Sequence, residues 1–149
     1  IGGGVLESWL KAEIEKRNLN GSVDVLDRVA PDVVCQLGQW ADILLISLKS
    51  KGCLNLTIPS KLQTYMIWGK PILGFIAGDP AEEIKKANCG LTASPEDPDH
   101  FQHVILQFLN MTIAQKQTYG ENARAYAKRH FSMREILDTI ELDLLSFDL

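Results

Sequence analysis

Two continuously apolar runs, "ILLISL" at residues 43–48 and "PILGFI" at residues 71–76, constrain the fold of this chain more than any other feature. A strand with one wet face alternates apolar and polar residues, whereas an unbroken run must be covered on both faces, the situation of a parallel strand between two layers of helices. The stretch between them, "TIPSKLQTYMIWGKP" at residues 57–71, has the residues of a short helix, with Gly69 as its C-terminal cap and Pro71 just beyond. Strand, helix, strand with connections this short is a crossover unit, and crossovers of this kind build a doubly wound α/β sheet.

The flanking sequence extends the pattern. Residues 5–17 place Val5, Leu6, Trp9, Leu10 and Ile14 on one helical face, with Glu7–Lys11 and Glu13–Arg17 as i,i+4 ion pairs on the other. "SVDVLD", residues 22–27, alternates as a short strand, and Pro31 opens a helix carrying Val33, Val34, Leu37 and Trp40. After the second apolar run a helix is predicted from Asp79, with Pro80 at its first position and Glu82 completing a capping box. "LTA" after Gly90 is a minimal strand, and Asp97 with Pro98 opens a helix striped by Phe101, Val104, Ile105, Phe108 and Leu109. The last third is helical: one helix runs through "GENARAYAKRHF", and another starts at Ser132 with Glu135 as capping-box partner and carries Ile136, Leu137, Ile140, Leu144 and Phe147. Trp9, Trp40 and Trp68 read as packing residues.

Composition removes several function classes. A net charge of −4 with no basic stripe speaks against nucleic-acid binding, which depends on displacing counterions from phosphates. No apolar run has the length of a membrane span, and no leader pattern is present. Cys35, Cys53 and Cys89 are odd in number and without a CxxC, as in reduced thiols of a cytosolic protein. His100 and His103 share a helix face but lack a third ligand, so no metal is expected. The glycines at residues 2–4 do not complete GxGxxG, because Glu7 stands at the last position, which argues against a nicotinamide or flavin cofactor.

In an open α/β sheet, ligands bind at the carboxyl ends of the strands, against the helix N-termini. That narrows the site to the loops at residues 2–4, 27–31, 49–60 and 77–79. In the longest of these, Ser60 is expected as N-cap with Gln63 as its capping-box partner, leaving Lys61 as the first helical residue. A cation there opposes the helix dipole by about 0.3–1 kcal/mol. Orphan amides, dipole and ammonium together form a seat for an anion, most naturally a phosphate, whose charge-assisted hydrogen bond of about 1.5–3 kcal/mol outweighs that penalty. Thr64 lies one turn further on the same side, within reach of an attached sugar, while Leu62, Tyr65 and Met66 face the sheet. The alternative is a solvated lysine that swings toward Glu82, Glu83 or water.

These residues also carry a family resemblance. "AD" before a buried strand, "PSK" opening a helix, "GKPI" between helix and strand, "GDPAEEI" after that strand, and "GL" with "SPED" before the next helix resemble the nucleotide-sugar-binding half of retaining glycosyltransferases of GT-B architecture, family 4, in their "PSKxQxY…GKPI" branch. "GENARAYAKRHFS" and the opening "IGGG" resemble a later helix and a glycine loop of the same family, so the likeness covers nearly the whole chain.

The resemblance implies an α/β, Rossmann-like C-terminal lobe with extra C-terminal helices over residues 1–149, truncated at its N-terminus and lacking the acceptor-binding lobe. It implies a glycosyltransferase, hexosyl or N-acetylhexosaminyl in type, transferring sugar with retention from a nucleotide-diphosphate donor such as a UDP-sugar to a saccharide or lipid-linked acceptor. Bacterial polysaccharide, lipopolysaccharide or capsule synthesis is the implied setting, in the cytoplasm or on the inner face of the membrane. The implied donor contacts are Gly4, Arg28 and Val29 around the nucleotide, and Thr57, Ile58, Pro59, Ser60, Lys61 and Thr64 around the diphosphate and sugar. Most relatives carry two glutamates with seven residues between them; Leu56 and Thr64 stand at those positions here, which leaves Thr64 as a hydroxyl contact. No residue is assigned as a catalytic base, no metal and no cofactor beyond the donor are expected, and the lone lobe is expected to be inactive. The stripe Leu137, Ile140 and Leu144, deprived of the missing lobe, is expected to drive self-association. The competing readings are a non-catalytic nucleotide- or partner-binding module, and one lobe of a nucleotide-sugar epimerase.

Overall fold

A computed structural model of the 149-residue chain describes residues 1–146, apart from the side chains of Glu135, Thr139 and residues 142–146. The chain divides into two units, Ile1–Trp40 and Ala41–Leu149.

The first unit holds helices α1 (Glu7–Lys16) and α2 (Pro31–Trp40). Glu7–Lys11 and Glu13–Arg17 pair at 2.6 and 2.9 Å, as their spacing requires. Ile14 is the only large apolar side chain buried in this unit; Val5, Leu6, Trp9, Leu10 and Trp40 are exposed, so neither tryptophan serves as core. Residues 22–27 form no strand. A strand exists only through a ladder, and the described contact of this segment with the glycine loop is a single bond, Gly2 N to Leu26 O at 2.9 Å.

The second unit contains the sheet. Strands β1 (Leu44–Ser47), β2 (Ile72–Phe75) and β3 (Gly90–Ala93) lie parallel in that order, with Leu44, Ile72 and Gly90 in register. Helices α3 (Ser60–Trp68), α4 (Asp79–Lys86) and α5 (Pro98–Leu109) follow the strands, and α6 (Ile113–His130) and α7 (Met133–Ser146) complete the unit. On one face Ile46 and Ile72 pack with Leu62 and Met66 of α3, Ile84 of α4, and Ala123 and Ala127 of α6. On the other, Leu73 and Ala93 pack with Val104 of α5, with Phe75 stacked on Phe101 at 4.3 Å between ring centres. Both faces of the central strand are therefore covered, as its unbroken apolar run requires.

Helix ends divide into those that form as expected and those that start one residue early. Asp97 caps α5 by accepting from His100 N at 2.9 Å, and Gly69 closes α3 at φ 68°. Leu109 lies outside the α5 stripe, 63% exposed. The Asp79–Glu82 capping box is not formed, because Gly78 takes the N-cap and Glu82 pairs with Lys85 at 2.8 Å. Helix α6 begins seven residues before Gly120, through a capping box of Thr112 and Gln115. The Glu135 side chain of the expected Ser132–Glu135 box, the Leu144 side chain and Phe147 lie outside what the structure describes. Among the described residues no helix is long and apolar enough to cross a membrane.

Candidate functional site

The carboxyl ends of β1 and β2 open onto two loops, residues 48–59 and 76–78, which lead into α3 and α4. The first contains a 3-10 turn, Gly52–Leu56, and then the extended residues Thr57, Ile58 and Pro59. Ile58 is partly buried against the main core and anchors the loop just before the helix starts.

Pro59, at φ −70° and ψ 140°, is the N-cap of α3, so the helix begins at Ser60 and not at Lys61. The expected Ser60–Gln63 capping box is absent for that reason: Ser60 already lies inside the first turn, and no side chain caps the end. Leu62 N is bonded to Pro59 O at 2.9 Å, whereas the N–H groups of Ser60 and Lys61 have no acceptor among the described residues. The N-terminus is more open to an anion than the sequence pattern implies.

Lys61 stands on the second helical residue, exposed, and enters none of the ion pairs among the described residues. Its two alternative partners are engaged elsewhere: Glu82 with Lys85 at 2.8 Å and Glu83 with Lys86 at 3.0 Å. Leu62 and Met66 are fully buried and Tyr65 is partly buried, as expected of the sheet-facing side, and burial raises the Tyr65 phenol above its ordinary pKa. Thr64 Oγ1 donates to Ser60 O at 3.0 Å, which commits its proton to the helix and leaves the oxygen as an acceptor. Leu56, at the position of the first family glutamate, is 73% exposed. Thr57 Oγ1 donates to Cys53 O at 2.8 Å.

Gly4, Arg28 and Val29 belong to the first unit and are exposed. The bond between Gly2 and Leu26 sets the glycine loop beside the segment that leads to Arg28, and Gly2, Gly4, Leu10 and Val25 line a depression of about 330 Å³. In the second unit a depression of about 310 Å³ lies between Asp42, Lys70, Pro71, Ile113 and Lys116. It sits at the amino ends of β1 and β2, opposite the loops of the candidate site.

Two features escape a motif-based reading. Between Asp42 and Asp79 the chain has no acidic residue but four lysines, Lys49, Lys51, Lys61 and Lys70, in a protein whose net charge is −4. Three of them lie in or next to the loop that enters α3, so the local field favours anions. The second is contact between the two loops: Gly78, with φ 73°, packs directly on the backbone of Asn55. Among the described residues no group of three or more His, Cys, Asp or Glu side chains could hold a metal ion. Cys53 is an exposed free thiol of the same loop, while burial pushes the Cys89 thiol up to about 12.

Over residues 1–126 the sequence matches the family described as Glycosyl transferases group 1. No curated protein matches the chain.

Proposed function

This chain belongs to the group 1 glycosyl transferases, and from that premise we propose that it is the donor-binding lobe of a retaining enzyme, with the diphosphate of a nucleotide sugar seated on the N-terminus of α3. The observation that carries this reading is Lys61, in no ion pair among the described residues and beside two amides that find no acceptor among them, in a segment devoid of acids. Ser60 and Lys61 supply backbone donors, the Lys61 ammonium supplies charge, and the Thr64 oxygen accepts from a sugar hydroxyl. Thr57, Ile58 and Pro59 line the approach; the assignment of Gly4, Arg28 and Val29 to the nucleotide rests on the sequence resemblance alone.

The chemistry asked of this lobe is charge stabilisation. In sugar transfer the bond from the anomeric carbon to the diphosphate breaks and negative charge grows on the departing phosphate oxygens. Donors fixed before the reaction stabilise that charge without reorganising. A phosphate oxygen takes up the acceptor hydroxyl proton, so no basic side chain is needed here. The acceptor, a saccharide or a lipid-linked sugar of bacterial surface polysaccharide, is held by a second lobe outside these residues, and the lone lobe is inactive. The proposed setting is the cytoplasm or the inner face of the membrane, a reading that the free thiols support. Self-association of the isolated chain belongs to the same proposal.

Lys61→Ala is expected to weaken nucleoside diphosphate binding by about 1.5–3 kcal/mol, roughly tenfold to a hundredfold, and to leave nucleoside binding nearly unchanged. Calorimetry with UDP, GDP, dTDP and ADP and the matching nucleosides checks this, and equal losses for both ligand types would refute it.

A further inference from the structure

The loop that carries the diphosphate seat is closed upon itself and pressed against its neighbour. Asn55 Nδ2 donates to Ser50 Oγ at 3.0 Å, and both residues are partly buried. Thr57 Oγ1 ties the end of the 3-10 turn back to Cys53 O at 2.8 Å. The turn rests on Gly78, whose φ of 73° and ψ of −150° lie in a region that only glycine occupies readily. A Cβ at position 78 would stand 2.8 Å from Asn55 Cβ and 2.9 Å from Asn55 C, and would also meet the Asn55 carbonyl oxygen. Backbone cannot yield as a flexible side chain does, so Gly78 lets the two loops meet.

We propose that this clasp, Ser50 bonded to Asn55 over Gly78, is a positioning device for the diphosphate seat at Ser60 and Lys61. The inference rests on the diphosphate reading of that seat. None of the three residues needs to touch the ligand. They fix the path of a loop that otherwise spans twelve residues between β1 and α3, so the α3 amides and Lys61 are set before binding and not ordered by it. Preorganisation of this kind raises affinity by removing an ordering cost. Gly78 also starts α4, so the same contact keeps the second strand's loop in step with the first.

Inorganic pyrophosphate, which carries no base, is the probe, titrated into the full chain by calorimetry beside a thermal melt of each variant. Ser50→Ala is expected to weaken binding about fivefold, the worth of one neutral hydrogen bond, with the chain still folded and its melting temperature lowered by no more than a few degrees. Ser50→Thr, which keeps the hydroxyl, is expected to restore affinity to within about twofold on the same scale. Gly78→Ala, if it folds, is expected to lose more than Ser50→Ala. The melts separate positioning from general destabilisation, because a variant that is fully folded at the titration temperature and still binds more weakly has lost positioning, and the rescue by threonine assigns that loss to the hydroxyl. Wild-type chain that fails to bind pyrophosphate removes the diphosphate reading and this inference with it. Wild-type binding that depends on Lys61 but is equal in Ser50→Ala leaves the diphosphate reading standing and overturns the clasp alone.

Discussion

At the residue scale four capping patterns among the described residues show what a sequence motif can and cannot specify. Thr112–Gln115 forms its box, and Asp97 caps α5, whereas Ser60–Gln63 and Asp79–Glu82 do not form theirs. The spacing is the same; the difference lies in the residue before. An N-cap needs a non-helical backbone, and Pro59 at ψ 140° and Gly78 at ψ −150° adopt it one position early. Lys61 was legible as a first-turn cation beside orphan amides, but that the Ser60 amide is one of them follows from Pro59. Contacts between distant residues were not legible at all. Gly120 of α6 packs on the backbone of Gly69, where a Cβ would lie 3.1 Å from Gly69 C and also meet the Gly69 carbonyl oxygen. Gly120→Ala gains up to about 1 kcal/mol in helix propensity but meets backbone that cannot move aside, and overpacking costs about 1–3 kcal/mol. A net loss of about 1–2 kcal/mol is expected, read as a lower urea midpoint at constant slope. An unchanged midpoint would show that α6 shifts freely against α3.

At the element scale β1 and β2 fall within the apolar runs that announced them, but only the central β2 is covered on both faces; β1 is buried at Leu44 and Ile46 and exposed at Leu45 and Ser47, because no described element covers its second face. The segment at residues 22–27 misled because alternation is necessary for a strand and a ladder partner is what makes one. The start of α6 was missed because its first turn carries no apolar stripe. Helix α6 is tied to α4 and the turn after it by two polar contacts that periodicity does not reveal: Tyr126 Oη donates to Glu83 Oε2 at 2.7 Å, and Asn122 Nδ2 donates to Asn88 O at 2.9 Å. Burial, then the Glu83 carboxylate, pushes the Tyr126 phenol up to about 12. For Glu83 burial works upward, but the Tyr126 hydroxyl and Lys86 prevail and hold its carboxyl below the ordinary value. The unfolded phenol titrates near pH 10, so the folded state binds the extra proton between about pH 10 and 12. The stabilisation from Tyr126 is therefore complete below about pH 10 and is lost as pH rises toward 12. Denaturant unfolding across this range is expected to show a shallower decline for Tyr126→Phe than for wild type. Cys89, raised to about 12 by burial, contributes a decline of the same sign to both proteins and so does not blur the difference. Parallel declines would separate this tyrosine from the alkaline transition.

For the molecule as a whole, the ledger of exposed apolar side chains is what the sequence could not give. Periodicity identifies a stripe, but only the fold says whether anything covers it. On α7 Ile136, Leu137 and Ile140 are 41%, 55% and 48% exposed, so the described part of the expected stripe is uncovered. These three residues share one helical face by spacing. Single exposed apolar residues are ordinary, whereas contiguous ones mark association surfaces. A net charge of −4 on 149 residues gives only weak mutual repulsion, which salt screens further. Association through such a face removes apolar area from water and is not opposed by added salt. Static light scattering of the isolated chain is accordingly expected to show a mass that rises with concentration and does not fall at high ionic strength. Leu137→Glu with Ile140→Glu, both at exposed sites, is expected to return the mass to that of a monomer without altering the helical circular dichroism. A wild-type chain that stays monomeric at high concentration, or a double variant that still associates, would show that this helix face is not what brings the copies together.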